Sequence, residues 1–186
     1  MSTTPTSSAT FKYDGSGNEV WRAGCGCGYH SGGTGLSLDA AGNVYVTVSC
    51  RATDPIPEGY ATVKYDSSGE LWRARYESES PAGSAVVALD AAGDVYVTGV
   101  GDGGATSGGY VTIKYDAGGD ELWAARYNGP EKPGSIALDA AGNIYVTGAS
   151  GGDYATIKMV PSGSTDGGGG GNGGGGGGCF MTAAAK

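Results

Sequence analysis

Short stretches along this chain alternate in polarity with a period of two. In the segment Tyr60–Tyr65, Ala61, Val63 and Tyr65 fall on one face and Tyr60, Thr62 and Lys64 on the other. Period two is the mark of a β-strand, whose successive side chains point to opposite faces. The alternating pieces are four to seven residues long and rich in Val, Ile, Thr, Tyr and Trp. No stretch places apolar residues at i, i+3, i+4 and i+7, so almost no helix is expected.

The pieces recur. Trp21, Trp72 and Trp123 are spaced 51 and 51 residues apart, and Leu38, Leu89 and Leu138 are spaced 51 and 49 apart. One unit reads LDAAGNVYVT at 38–47, LDAAGDVYVT at 89–98 and LDAAGNIYVT at 138–147. A second reads YATVKYD at 60–66, YVTIKYD at 110–116 and YATIKMV at 154–160, with a degenerate copy, ATFKYD, at 9–14. The third is VWRA at 20–23, LWRARY at 71–76 and LWAARY at 122–127. Between them stand D-x-x-G turns such as Asp39–Gly42 and Asp66–Gly69. Asp at the first position accepts backbone hydrogen bonds, and Gly at the fourth takes positive φ without steric cost. Such turns join antiparallel neighbours. Four short strands in each repeat of roughly 50 residues make one blade of a β-propeller. The predicted class is all-β: about three four-stranded blades in an incomplete or open ring.

The repeats resemble the SBBP-type β-propeller repeat of bacterial surface and secreted proteins, in LDAAGNVYVTG, YATIKYD and ELWAARYNGP above all. The layout is also similar to NHL repeats. That likeness implies a phase: LDA innermost, VYVTG second, YATVKYD third and LWRARY outermost. The family implies non-enzymatic scaffolding or protein interaction at the cell surface or exterior. The expected organisation is a disordered N-terminus at 1–8, then repeats over 9–160, divided into a partial unit at 9–24, blades at 35–76 and 85–127, and a partial blade at 135–160. A Gly-rich linker at 161–178 and a tail at 179–186 follow. The tail, CFMTAAAK, resembles a shortened CFI-box C-terminal motif in Cys179 and Phe180.

On that phase the sequence supplies 13 strands. Propellers close with roughly four to eight blades, so three and a fraction do not make an ordinary ring. Three readings stay open: a fragment or shortened paralogue of a longer propeller, an open arc, or two chains combined in a six-bladed ring. In the last, a homodimer forms by blade completion, with the spare strand Asn18–Gly24 pairing on a partner's unfinished last blade.

Composition narrows the function. Lys+Arg less Asp+Glu is 11 − 19 = −8. An acidic chain lacks the counterion release that drives nucleic-acid binding. The longest strictly apolar run, Ala85–Leu89, is far below the ~20 residues that span a bilayer, so no membrane span is expected. The N-terminal MSTTPTSSAT has no basic and apolar signal-peptide pattern. Of 39 glycines, eleven lie at Gly167–Gly171 and Gly173–Gly178.

The candidate chemistry is sparse. No G-x-S-x-G, P-loop or H-E-x-x-H motif is present, and no catalytic residue or cofactor is expected. Residues repeated in every blade, such as Lys12, Lys64, Lys114 and Lys158, read as structural. Asp14–Glu19 faintly resembles a Ca²⁺ loop but fits a hairpin turn better. Strand parity brings Cys25, Cys27 and Cys50 to one face of the ring with His30, the sole histidine. Three outcomes compete there: free thiols, a disulfide to Cys50, or a tetrahedral Zn²⁺ site of Cys25, Cys27, His30 and Cys50. The longer loops, 27–34, 50–59, 77–84, 100–109 and 128–134, share that face and offer His30, Arg51, Asp54 and Asp102 to a ligand. The opposite face is expected to carry the carboxylates Asp39, Asp66, Asp90, Asp116 and Asp139. The leading expectation is a non-catalytic interaction or scaffold module. A metal- or glycan-binding lectin-like module is the alternative, and a propeller lyase or hydrolase the third.

Overall fold

A computed structural model describes residues 8–24, 32–51, 57–78, 83–101, 109–127, 132–150, 153–161 and 179–185. All regular structure among them is β, in fourteen strands. The strands are β1 (Ala9–Tyr13), β2 (Glu19–Gly24), β3 (Gly32–Leu38), β4 (Val44–Cys50), β5 (Gly59–Tyr65), β6 (Glu70–Glu77), β7 (Ala85–Leu89), β8 (Val95–Val100), β9 (Tyr110–Tyr115), β10 (Glu121–Tyr127), β11 (Pro133–Leu138), β12 (Ile144–Ser150), β13 (Asp153–Pro161) and β14 (Cys179–Ala185). No helix among the described residues is long and apolar enough to cross a membrane.

Three sheets are four-stranded meanders in chain order: β3–β4–β5–β6, β7–β8–β9–β10 and β11–β12–β13–β14. The fourth is the pair β1–β2. Every pairing is antiparallel. The innermost strands β3, β7 and β11 neighbour one another in turn. These are propeller blades in the order the sequence predicts, and β1–β2 is the outer half of one more blade.

The last blade differs from expectation. Residues 135–160 read as a three-stranded partial blade, and 179–186 read as a tail. In the structure β14 pairs with β13 from Ala155↔Ala185 to Pro161↔Cys179. The edge that a partner's β2 was expected to fill is therefore occupied by this chain's own strand, and the strands number fourteen rather than 13. The physical reason is that the outer edge of β13 offers an unpaired backbone row, which any extended segment within reach can satisfy.

The core lies between blades. One face of the first blade (Val44, Val46, Val48, Ala61, Val63, Tyr65) is buried with Trp21 and Ala23 of β2 packed on it. Its other face sets Tyr45, Tyr60, Trp72 and Tyr76 against Val95, Val97, Val111 and Ile113 of the second blade. The second blade repeats the arrangement, with Tyr96, Tyr110 and Trp123 against Ile144, Val146, Ile157 and Met159. A small-apolar face meeting an aromatic face is thus the unit of assembly. Polar contacts stitch the same interface. Thr47 Oγ1 donates to the Ala85 carbonyl at 2.8 Å, and Trp72 Nε1 donates to the Ala117 carbonyl at 3.1 Å.

Candidate functional site

The two ends of the blade stack are built differently. At one end stand the six D-x-x-G turns of the first strand pairs and of the blades. Asp39 shows the pattern: Oδ1 accepts from the Ala41 and Asn43 amides at 3.0 and 2.9 Å, and Oδ2 from Asn43 Nδ2 at 2.8 Å and Tyr45 OH at 3.2 Å. Asp139 repeats it with Ala141, Asn143 and Tyr145. Gly42 closes the turn at φ 82°, where a side chain would be strained. The expected ring of carboxylates is present in position, but its oxygens turn inward and serve the turns. Hydrogen bonds from Asn18 hold the Asp14 carboxyl below the usual carboxylate range. Bonds from Ser68 do so for Asp66, and bonds from Asn143 for Asp139. At Asp39, lost hydration pushes the carboxyl up, and the bonds from Asn43, Tyr45 and the Ala41 amide outweigh it. The Asp14–Glu19 segment is one of these turns, with Asp14 Oδ1 accepting from the Ser16 and Asn18 amides.

A groove of about 480 Å³ separates the turns of the second and third blades, lined by Leu89, Ala92, Leu138 and Ala141. Asp90 and Asp139 also line it, their carboxylates accepting from the Tyr96 and Tyr145 hydroxyls.

The repeated lysines act within the blades. Lys64, Lys114 and Lys158 hold their ammonium groups 5.0, 5.1 and 5.7 Å from the ring centres of Tyr45, Tyr96 and Tyr145. Sequence patterning marked these lysines as structural without identifying the partner, which is a tyrosine on the adjacent strand. Lys114 also pairs with Asp94 at 2.7 Å.

At the opposite end run the connections between blades and between second and third strands. Of the residues expected there, Arg51 is exposed just beyond β4. Cys50 is fully buried in the interface facing Trp21 and Ala23, its thiol 3.7 Å from the Val48 carbonyl it donates to. Cys25, Cys27, His30, Asp54 and Asp102 lie outside the described residues. Among the described residues no three His, Cys, Asp or Glu side chains converge on a metal position. Strand β3 begins at Gly32, so the expected loop 27–34 gives way to strand earlier than its glycines suggested.

A second feature escaped the sequence reading. Between β1 and the inner half of the first blade lies a hollow of about 410 Å³ of mixed lining, Phe11, Leu36, Val46 and Val48 beside Thr10 and Thr34. Phe11 is 47% and Leu36 59% exposed. Their counterparts at the same repeat positions, Val63 and Ile113, are fully buried, and Val87 and Ile136 pack into interfaces. The signal in the sequence was the degenerate copy at 9–14, which carries the third-strand pattern.

Comparison with known proteins agrees with this architecture. Residues 122–155 match the family described as SBBP, a beta-propeller repeat. No curated protein matches the chain. Six solved chains match it, among them the crystal structure of a protein of unknown function from Bacteroides caccae. That chain is 15% identical with a TM-score of 0.50, and the match covers 76% of this chain and 47% of that one. This chain therefore spans about half the length of the solved protein it matches, and the likeness is one of fold.

Proposed function

We propose that this chain, which carries an SBBP-type β-propeller repeat, is a non-catalytic module for protein interaction or structural scaffolding at the bacterial cell surface or exterior. One observation carries the reading: a nearly invariant frame presents its sequence variety at a single end. The turn end repeats D-A-A-G three times and consumes its own carboxylates. The other end joins closely similar strands through connections that differ in length and in most of their sequence, RATDPIPE at 51–58 against GDGGATSGG at 101–109. A rigid scaffold with divergent connections on one face is the arrangement binding proteins use. The partner docks on that face, beside Arg51.

A photo-crosslinking side chain placed at Arg51, and separately at Ser67 on the turn end, tests this on intact source cells. Discrete protein adducts from position 51 and none from 67 are expected, formed also when the crosslinker cannot enter the cells. Equal labelling from both ends, or adducts only after lysis, overturns the proposal.

A further inference from the structure

We infer that Cys179–Ala185 is an exchangeable strand: two copies of this chain trade β14, each donating it to the outer edge of the other's β13. The loop face takes no part, so this inference stands apart from the function proposed above.

The register carries the argument. β14 pairs with β13 over seven positions, from Ala155↔Ala185 to Pro161↔Cys179. The last residue of β13 and the first of β14 therefore stand directly opposite, the geometry of a hairpin that roughly two to five residues close. The corresponding pairs in the other blades are joined in that way. Four residues, 66–69, connect β5 to β6, and five, 116–120, connect β9 to β10. Between Pro161 and Cys179 stand seventeen, 162–178. Lengthening a connection from five residues to seventeen lowers the effective concentration of a strand at its own edge by about sixfold. It also extends the reach of the strand to at most about 60 Å, enough to meet the edge of a copy alongside.

The strand itself suits either edge. β6 carries Glu70, Arg73, Arg75 and Glu77, and β10 carries Glu121 and Arg126. Charges of this kind keep outer strands from joining foreign sheets. Cys179–Ala185 has no charged residue. Nor has it a tryptophan like Trp72 and Trp123, which tie β6 and β10 to the following blade. The structure gives β14 its ladder with β13, and the β14 of a second copy makes that same ladder pair for pair. Exchange conserves the pairing, and the tether alone decides between one copy and two. Dimers form as the concentration of copies approaches that of the strand at its own edge, on the order of 1 mM.

Deleting residues 162–178 tests the acceptor edge. It joins Pro161 directly to Cys179 and leaves no residue to turn the chain back, so pairing within one copy is impossible. At micromolar concentration this variant should be a dimer by light scattering, with β14 amides slow to exchange. Adding Ala183→Pro and Ala184→Pro together removes the ladder donor whichever of the two faces β13, and should return the variant to a monomer. A variant that keeps 162–166 should be a monomer with its β14 amides protected. The native chain supplies the second measurement. Isotopically heavy and light copies, mixed at about 1 mM and then diluted in the cold, should yield heavy–light dimers in native mass spectrometry. The same two proline substitutions should abolish them. A monomeric deletion variant, a dimer that survives both prolines, or a native chain that forms no mixed dimers overturns the inference.

Discussion

The ring of Tyr60 in β5 lies directly over Gly99 of the next blade. A Cβ built at position 99 would fall 2.7 Å from Tyr60 Cζ, closer than any relaxed packing allows. One blade on, a Cβ at Gly148 would meet the Tyr110 hydroxyl and the Lys132 carbonyl instead of a ring. Gly99 is therefore the socket for the Tyr60 ring, and the two residues set how closely the first and second blades approach there. Gly99→Ala should cost about 1–3 kcal/mol by overpacking, measured as a shift of the urea midpoint with an unchanged slope.

Tyr60 and Tyr110 differ in how their hydroxyls are satisfied. Tyr110 OH donates to the Ala149 carbonyl at 2.9 Å. Tyr60 OH is buried and has no hydrogen-bond partner among the described residues, while its ring stacks on Tyr76 at 5.0 Å. Removing a buried hydroxyl that makes no bond relieves a desolvation cost, whereas removing one that does forfeits a bond. Tyr60→Phe should leave stability unchanged or raise it. Tyr110→Phe should lower it by about 1 kcal/mol. Equal losses at both sites in chemical denaturation would contradict this account.

Trp72 spans the first interface. Its ring lies 6.0 Å from Tyr45 and 6.4 Å from Tyr115, and its indole N–H bonds across to the second blade. Trp72→Ala should cost about 3 kcal/mol, the low end for a tryptophan because the ring is only half-buried. Trp72→Phe should recover the packing and not the hydrogen bond, so its stability should fall between the two.

Stability should decline at both extremes of pH. The carboxyls of Asp14, Asp39, Asp66 and Asp139 are lowered in the folded chain. Their contribution is full above the ordinary carboxyl range near about 4 and is lost as pH falls through the folded values. Burial pushes the Tyr60 and Tyr115 phenols up. Their contribution is full below the ordinary phenol value of about 10 and disappears as pH rises beyond it. Melting temperature against pH should thus fall on the acid side below about 4, and Asn43→Ala should flatten part of that limb. Spectrophotometric titration should show a set of tyrosines that ionise only as the fold is lost.

Much of the architecture was legible because each repeat states the same pattern. Leu38, Leu89 and Leu138 announced inner strands, Trp21, Trp72 and Trp123 outer ones, and Asp–Gly spacing the turns between them. The strand β14 was not legible. Its Thr182-Ala183-Ala184-Ala185 lacks the alternation that marks a strand, and its extended state follows from the edge of β13, a tertiary cause. Cation–π pairs such as Lys64 with Tyr45 were equally hidden, since neighbouring strands bring together residues 19 positions apart (64 − 45). The exposed Leu36 is the hardest case: its residue type matches Val87 and Ile136, and only its tertiary surroundings set it apart.

The attachment of β14 sets an order of events for the whole molecule. Every other strand joins its blade neighbour through a short connection, but Pro161 and Cys179 are separated by 17 residues (178 − 161). Closing a loop of that length costs about 1 kcal/mol more than closing a four-residue turn. Of the three outermost strands β6, β10 and β14, the last is therefore the first to let go on warming and the last to dock on refolding. Loss of structure should travel inward from that end as a front, leaving the first and second blades standing when the third has begun to open.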